Sequence, residues 1–310
     1  MAGAVRSDTF MGIVAVVVGL AVFSIQDLVV KLLAGSYPVH QVLATRSIAA
    51  LPMFLVLAHF SGGLGQLRQG AAGVMLLRGG VMFIAFTCYY LALASLPLAT
   101  SIALYFTAPL FIMILTVLTL REPVDATRWA AVAAGFAGTL LIMRPGSSVF
   151  DPAAILPVLA ALFYAGSQMI ARRYAGTANA LTFSFHANTA FLVGGLAAGL
   201  AFGNGMFAQQ AHPSLEFLFR AWTMPTAVDF GLMVLCGAVA CAGSMLLAQA
   251  YRIASPPAVA PFEYTAIVWS VLNGWLIWGE MPALWTWAGI AVIVGAGLYV
   301  LMTERRSRTT

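Results

Sequence analysis

Charge is what this sequence has least of. Of its 310 residues only 8% are charged and 62% are hydrophobic, and the mean hydropathy is +0.95. A soluble domain carries roughly 25% charged residues, and a water-soluble fold of this length could not cover its apolar surface with so little polar surface. The expected solvent is a lipid bilayer, and lipids are the expected surroundings. The net charge of +5 is thinly spread, with no basic stripe to follow a phosphate backbone, which excludes nucleic acid as a partner. Cysteine is scarce as well. Cys88, Cys236 and Cys241 lie in apolar runs, with no disulfide framework and no CxxC metal spacing. Catalytic patterns are missing: there is no GxSxG and no HExxH, and His40, His59, His186 and His212 are scattered. Without GxxxxGK(S/T), ATP-driven pumping has no support. No enzyme activity, cofactor or metal is expected.

What is present is a series of apolar runs separated by short Gly, Pro or polar punctuation. Ten candidate spans lie near 10–33, 38–60, 70–95, 97–120, 127–144, 152–173, 180–202, 227–251, 256–279 and 283–302. They are too long for barrel strands and none alternates with period two, so they read as helices. The leader "MAGAVRSD" balances one Arg against one Asp, and the run behind it exceeds a signal-peptide core, so a retained first span is expected. Only one connection is long, residues 203–226. If the N-terminus is inside, ten Lys and Arg flank the spans there: Arg6, Arg68, Arg121, Arg128, Arg172, Arg173, Arg252, Arg305, Arg306 and Arg308. Lys31, Arg144 and Arg220 fall outside, so both termini are expected in the cytoplasm of a bacterial inner membrane, and the protein crosses it many times.

The chain also repeats itself. A shift of 158 lays "GVMLLRGGV" on "GLMVLCGAV", and "REPVDATRWAAVA" on "GEMPALWTWAGIA", matching Glu122 with Glu280 and Trp129 with Trp287. A shift of 141 matches Lys31 with Arg172 and Ala34-Gly35 with Ala175-Gly176. The expected fold class is therefore all-α: two five-helix repeats, 1–145 and 146–310. An odd number of spans inverts the second copy, which is the arrangement of many transporters with a midplane site between halves. A duplicated bundle kept only for stability is the plainer alternative.

The sequence resembles the drug/metabolite transporter superfamily in its ten-helix bacterial, EamA-type form. The resemblance rests on Lys31 closing the first span, Arg46 in the second, "ALASLPLATSIALYFTAPLF" at 92–111, Glu122 and Glu280 ending spans four and nine, and the "GFAG" of Gly135 to Gly138. Two departures stand in the second repeat: Ile267 where the first has Pro109, and Glu263 where it has Tyr105. The resemblance implies a basket of helices with a cavity lined by spans 1, 3, 4, 6, 8 and 9. It implies export, with amino acids, their derivatives and other small metabolites as usual cargo; the aromatic residues on those spans would suit an apolar or aromatic moiety, so an aromatic amino acid is among the expected cargoes. A lipid or polyprenyl-carrier flippase is the alternative within the superfamily.

Charges inside spans cost roughly 2.5–3.5 kcal/mol each and usually face a cavity or a partner. Five stand there: Asp27, Lys31, Arg46, Arg78 and Glu263. Lys31 is within snorkelling reach of water. Glu122 and Glu280 are expected to orient helix ends. Arg78 and Glu263 lie at similar depth and read equally as a buried ion pair or as a proton-coupling site, with the proton as coupling ion. Asp27 and Arg46 are expected to face each other or share a polar pocket. Their role is either to fasten two helices or to take an anionic cargo group. On spans that the family uses for its cavity, Phe23, Tyr105, Phe106, Tyr164 and Tyr264 are the aromatic candidates, with Ser24, Gln168 and Gln249 as polar fixers. His186 and Asn188 read as helix–helix hydrogen bonds. Gly195, Gly199 and Gly203 form a close-packing face, within the bundle or between two protomers. Pro109, Pro256, Pro257 and Pro261 are candidate hinges in the partner spans four and nine.

Overall fold

A computed structural model describes residues 2–120, 126–147, 150–174, 178–254 and 259–307. Among them every regular element is helical. The chain runs α1 (Ala2–Leu33), α2 (Val39–Gly62), α3 (Ala72–Leu93), α4 (Leu98–Tyr105), α5 (Ala108–Leu120), α6 (Ala126–Met143), α7 (Ile155–Arg173), α8 (Ala180–Phe202), α9 (Pro213–Phe219), α10 (Ala227–Ile253), α11 (Thr265–Trp278) and α12 (Leu284–Ser307), with 3-10 turns at Leu64–Arg68, Pro152–Ala154 and Ala260–Tyr264. Seven segments are long and apolar enough to cross a membrane, and 129–143 and 284–299 form shorter apolar helices. The described chain is a multi-pass membrane protein by this measure, since a bilayer core needs about 20 apolar residues per helix.

Composition explains the uniformity. Inside lipid each backbone amide must be paired within its own segment, and the helix does so with i→i−4 bonds alone. Where the helix fails, the sequence shows why. α4 stops at Tyr105 and α5 starts at Ala108, because Pro109 has no amide hydrogen to continue the ladder and sits readily in a new first turn. The counterpart break lies at Ala260–Tyr264, a 3-10 turn holding Pro261 ahead of α11. Pro256 and Pro257, like Glu122, lie outside the described residues. Pro52 stands inside α2 without ending it.

The neighbour pattern is symmetric. α1 packs along α10 and α3 along α7; α2 packs along α8 and α6 along α12. α3 also touches α8, as α2 touches α10, and the broken α4–α5 segment leans on α7 as α11 leans on α1. Exchanging α1, α2, α3, α4–α5 and α6 for α7, α8, α10, α11 and α12 maps this set of pairings onto itself.

Small residues permit the tightest crossings. A Cβ on Gly195 would lie 3.0 Å from the His40 carbonyl oxygen of α2, and one on Gly138 would lie 3.0 Å from the Gly289 carbonyl of α12. Substituted Gly199 and Gly203 would collide with the Trp222 ring. The Gly195, Gly199 and Gly203 face is therefore filled from within the chain by α2 and by the long loop. It is not free for a second protomer.

Candidate functional site

A cavity of about 650 Å³ lies between the two halves, inside the range of small-molecule sites. Its aromatic wall is a run of tyrosines: Tyr89 of α3, Tyr105 at the end of α4, and Tyr164 of α7, with ring centroids 5.3 and 5.6 Å apart. The break at residues 106–107 makes this possible, because it turns Tyr105 and Phe106 inward from a span that would otherwise present one continuous stripe. Phe106 stacks on Tyr264 behind it, centroids 4.9 Å apart.

One pole of the cavity holds Arg46, whose residue is only 2% exposed. Its Nη1 donates to Gln26 Oε1 at 2.9 Å and to the Tyr90 hydroxyl at 3.3 Å, while Gln26 Nε2 donates to that hydroxyl at 2.5 Å. The guanidinium also lies 4.9 Å from the Phe191 ring centroid and 5.6 Å from that of Tyr90, which substitutes ring electrons for lost water. Asp27 accepts from the Tyr89 hydroxyl at 3.0 Å. The other pole holds Arg78, Gln168 and Glu263. Gln168 Nε2 donates to the Tyr164 hydroxyl at 2.6 Å, and Glu263 accepts from the Tyr251 hydroxyl. Arg78 lies against the Phe183 ring at 5.0 Å.

One end of the bundle is strapped shut. Lys31 Nζ donates to Glu280 Oε1 and Oε2 at 2.8 and 2.9 Å and to the Leu96 carbonyl at 3.0 Å, tying α1 to the end of α11 and to the α3–α4 turn. The 203–226 loop, which carries α9, crosses the same end. Arg220 donates to the Ala34 carbonyl at 2.7 Å, Gln41 to the Thr223 carbonyl at 2.6 Å, and Trp222 to His40 Nδ1 at 2.5 Å. His212 meets Asp151 at 3.0 Å, and Ser95 meets Ser214 at 3.3 Å.

Interrupted helices that meet at a central cavity recur in membrane transporters of small molecules. The EamA-like transporter family model matches residues 10–144 and again 151–303. The chain belongs to the EamA-like transporter family. It is thus a transporter of the drug/metabolite superfamily. This EamA-like transporter is 31% identical to a riboflavin transporter of Rhizobium johnstonii, over 79% of this chain and 75% of the relative. It is 25% identical to an S-adenosylmethionine uptake transporter of Rickettsia prowazekii, covering 80% of this chain and 78% of that one. It is also 25% identical to the pseudopaline exporter CntI of Pseudomonas aeruginosa, over 95% and 97%. A crystal structure sharing 18% identity aligns over 97% of this chain and 98% of its own at a TM-score of 0.61, which speaks for the fold alone.

Most residues singled out from the sequence of this EamA-like transporter meet in the cavity: Phe23, Ser24, Asp27, Arg46, Arg78, Tyr105, Phe106, Pro109, Tyr164, Gln168 and Glu263. Two candidates do not. Gln249 is exposed: α10 lines the cavity with Ala240, Ser244, Leu247, Ala248 and Tyr251, one helical stripe, and Gln249 stands a further 100° round from Ala248. Tyr264 backs Phe106 instead of lining the cavity, because the 3-10 turn gives that position to Glu263. Ser24 lines the wall but is engaged, donating to the Ala21 carbonyl at 2.8 Å and accepting from Asn273 at 3.1 Å.

Of the two arrangements expected for Asp27 and Arg46, facing each other or sharing a polar pocket, the structure has the second. Asp27 and Arg46 share the cavity without an ion pair, each held by its own tyrosine. Arg78 and Glu263 are not paired either, since Glu263 takes Tyr251 from the facing stripe of α10. Lys31 does not snorkel to water: its side chain is 11% exposed, paired with Glu280 and 4.9 Å from the Trp278 ring. Asn188 does join two helices, donating to the Ser47 carbonyl at 3.0 Å, but the His186 Nδ1 contact is to Thr182 of its own helix at 2.9 Å. The cavity also extends beyond the expected spans. α2 adds Arg46 and Phe54, and α8 adds Ala180, Phe183, Ser184, Ala187, Asn188 and Phe191. That α8 set, 180, 183–184, 187–188 and 191, recurs every three to four residues, which is one helix face and was available in the sequence.

Proposed function

We propose that this chain is an alternating-access secondary transporter of a flat aromatic metabolite, carried in the cavity between two inverted halves, 1–145 and 146–310. The observation that carries the reading is the Tyr89–Tyr105–Tyr164 run, a wall of rings joining two polar poles. A planar cargo can stack on such rings at a gain of roughly 0.5–1.5 kcal/mol per ring beyond simple burial. The likeness to a riboflavin transporter supports the same class, in which the aromatic amino acids expected from sequence are the small members and flavins the large ones. In this reading there are ten spans, α4–α5 counting as one and the Ala260–Tyr264 turn continuing into α11, with both termini in the cytoplasm of the inner membrane. Glu263 serves as the proton-coupling carboxylate, exchanging Tyr251 for solvent as the halves rock. Pro109 and Pro261 mark the bends.

Purified protein in proteoliposomes, offered externally in turn labelled riboflavin, tryptophan and an aliphatic amino acid, tests the cargo class. Accumulation of the aromatic compounds and not of the aliphatic one is expected. Equal handling of all three overturns the aromatic reading, and movement of a labelled phospholipid instead makes the chain a flippase.

A further inference from the structure

Four charged side chains line the cavity, and three are spoken for. Arg46 is held by Gln26, Tyr90 and the Phe191 ring; Asp27 accepts from Tyr89; Glu263 accepts from Tyr251. Arg78 differs. Its residue is 9% exposed; its Nε is buried without a partner, as that of Arg46 is, but among the described residues no hydrogen bond or ion pair reaches any other atom of its guanidinium either. Its neighbour is the face of Phe183, 5.0 Å from its guanidinium carbon to the ring centroid, which offers it no acceptor. A guanidinium is charged at every physiological pH and presents five donors in a fork matched to carboxylate or phosphate. A membrane protein that buries one without an acceptor leaves its donors to whatever enters the cavity.

We propose that Arg78 receives an anionic group, carboxylate or phosphate, on the cargo, so that an anionic aromatic compound is taken in preference to its neutral counterpart. The inference rests on the aromatic reading above and narrows it. The placement fits. Arg78 and Tyr89 both lie on α3, eleven residues apart, so the arginine sits about 16 Å along the helix from the first ring of the tyrosine run. α7 runs alongside α3, with Gly166 opposite Val81, and carries Tyr164 and Gln168 to the arginine's end. A cargo stacked on Tyr105 and Tyr164 therefore points one edge at Arg78. Glu263 stands at the same pole but is occupied by Tyr251, and it repels a second carboxylate that strays from the guanidinium.

The test uses two matched pairs of probes on the intact protein in detergent: riboflavin against its 5′-phosphate, and indole-3-ethanol against indole-3-acetate. Binding is read by quenching of intrinsic tryptophan fluorescence. Wild type is expected to bind the anionic member of at least one pair tenfold or more tightly, about 1.4 kcal/mol. Arg78→Gln, judged folded by its elution as a single species, is expected to erase that preference, and Arg78→Lys to restore part of it, since lysine keeps the charge and loses the fork. Equal affinity within both pairs in wild type overturns the anion role and leaves the aromatic reading standing. So does a preference that survives Arg78→Gln. If no aromatic probe binds while an aliphatic anion does, the aromatic reading fails and the anion role is decided by the Arg78→Gln effect on that anion. The wild-type comparison stands even if the glutamine variant does not fold.

Discussion

Two arginines share one cavity in opposite circumstances. Arg46 is engaged at Nη1 by Gln26 and Tyr90 and lies against the Phe191 ring, although its Nε, like that of Arg78, is buried without a partner. Arg78 lies against the Phe183 ring and has no hydrogen-bond partner among the described residues. The difference lies in the neighbours and not in depth, since both are more than nine-tenths buried. A buried charge that is hydrogen-bonded to the frame belongs to it, because removing it strands its partners. A buried charge left unsatisfied burdens the frame and serves it little, so it is better explained by a ligand.

The largest expected effect breaks the comparison most directly. Arg46→Leu should destabilise the protein by about 3 kcal/mol, because a charge-assisted hydrogen bond worth roughly 1.5–3 kcal/mol is lost and Gln26 is left buried with one partner fewer. Arg78→Leu should fall within about 1 kcal/mol of wild type, or above it, having no partner to strand. Thermal unfolding of both variants in one detergent checks this, and equal losses would put the two arginines in the same class.

Next comes the wall of rings that joins their poles. Tyr105→Ala should cut cargo affinity about tenfold or more, while Tyr105→Phe keeps most of it, because the ring and not the hydroxyl meets the cargo. Titration of riboflavin against both variants measures it.

A smaller effect concerns the strapped end. Lys31 holds α11 through Glu280 with both groups partly screened, so the pair is worth about 1 kcal/mol, a factor of roughly five in a conformational balance. In a background without Cys88, Cys236 and Cys241, a Ser270→Cys reporter on the cavity wall should be labelled from that end several-fold faster once Lys31→Met is added.

The smallest effect sharpens the separation of Asp27 from Arg46. Since each has its own partner, the double variant Asp27→Asn, Arg46→Gln should show no rescue over the singles, with a coupling below about 0.5 kcal/mol. A clear rescue in thermal stability would restore the direct pair that their matching depths suggest.

Much of this was legible in the chain itself. The ten apolar runs, the 158-residue self-match and the charges within spans led to a helical transporter, and most of the cavity residues follow from asking which polar or aromatic side chains lie deep in a span. Gln249 shows where that reading stops: its depth is right, but its angle round α10 points it away, and angle depends on which face the neighbours cover. Lys31 shows the same limit. A lysine one turn from a helix end can reach water by its own length, yet Glu280, 249 residues later, was close enough to take it first.

Sequence alone determined the solvent, the element type and the break before Pro109, because hydropathy, backbone hydrogen bonding and proline geometry act within a single segment. Tertiary structure alone decided the partners. Whether Asp27 meets Arg46 or Tyr89, whether Glu263 meets Arg78 or Tyr251, and whether the Gly195 face meets Trp222 or another protomer depends on how helices far apart in the chain are rotated against one another. A hydrogen bond is made or lost over less than an ångström and within a few tens of degrees, finer than the depth and spacing that a linear pattern encodes.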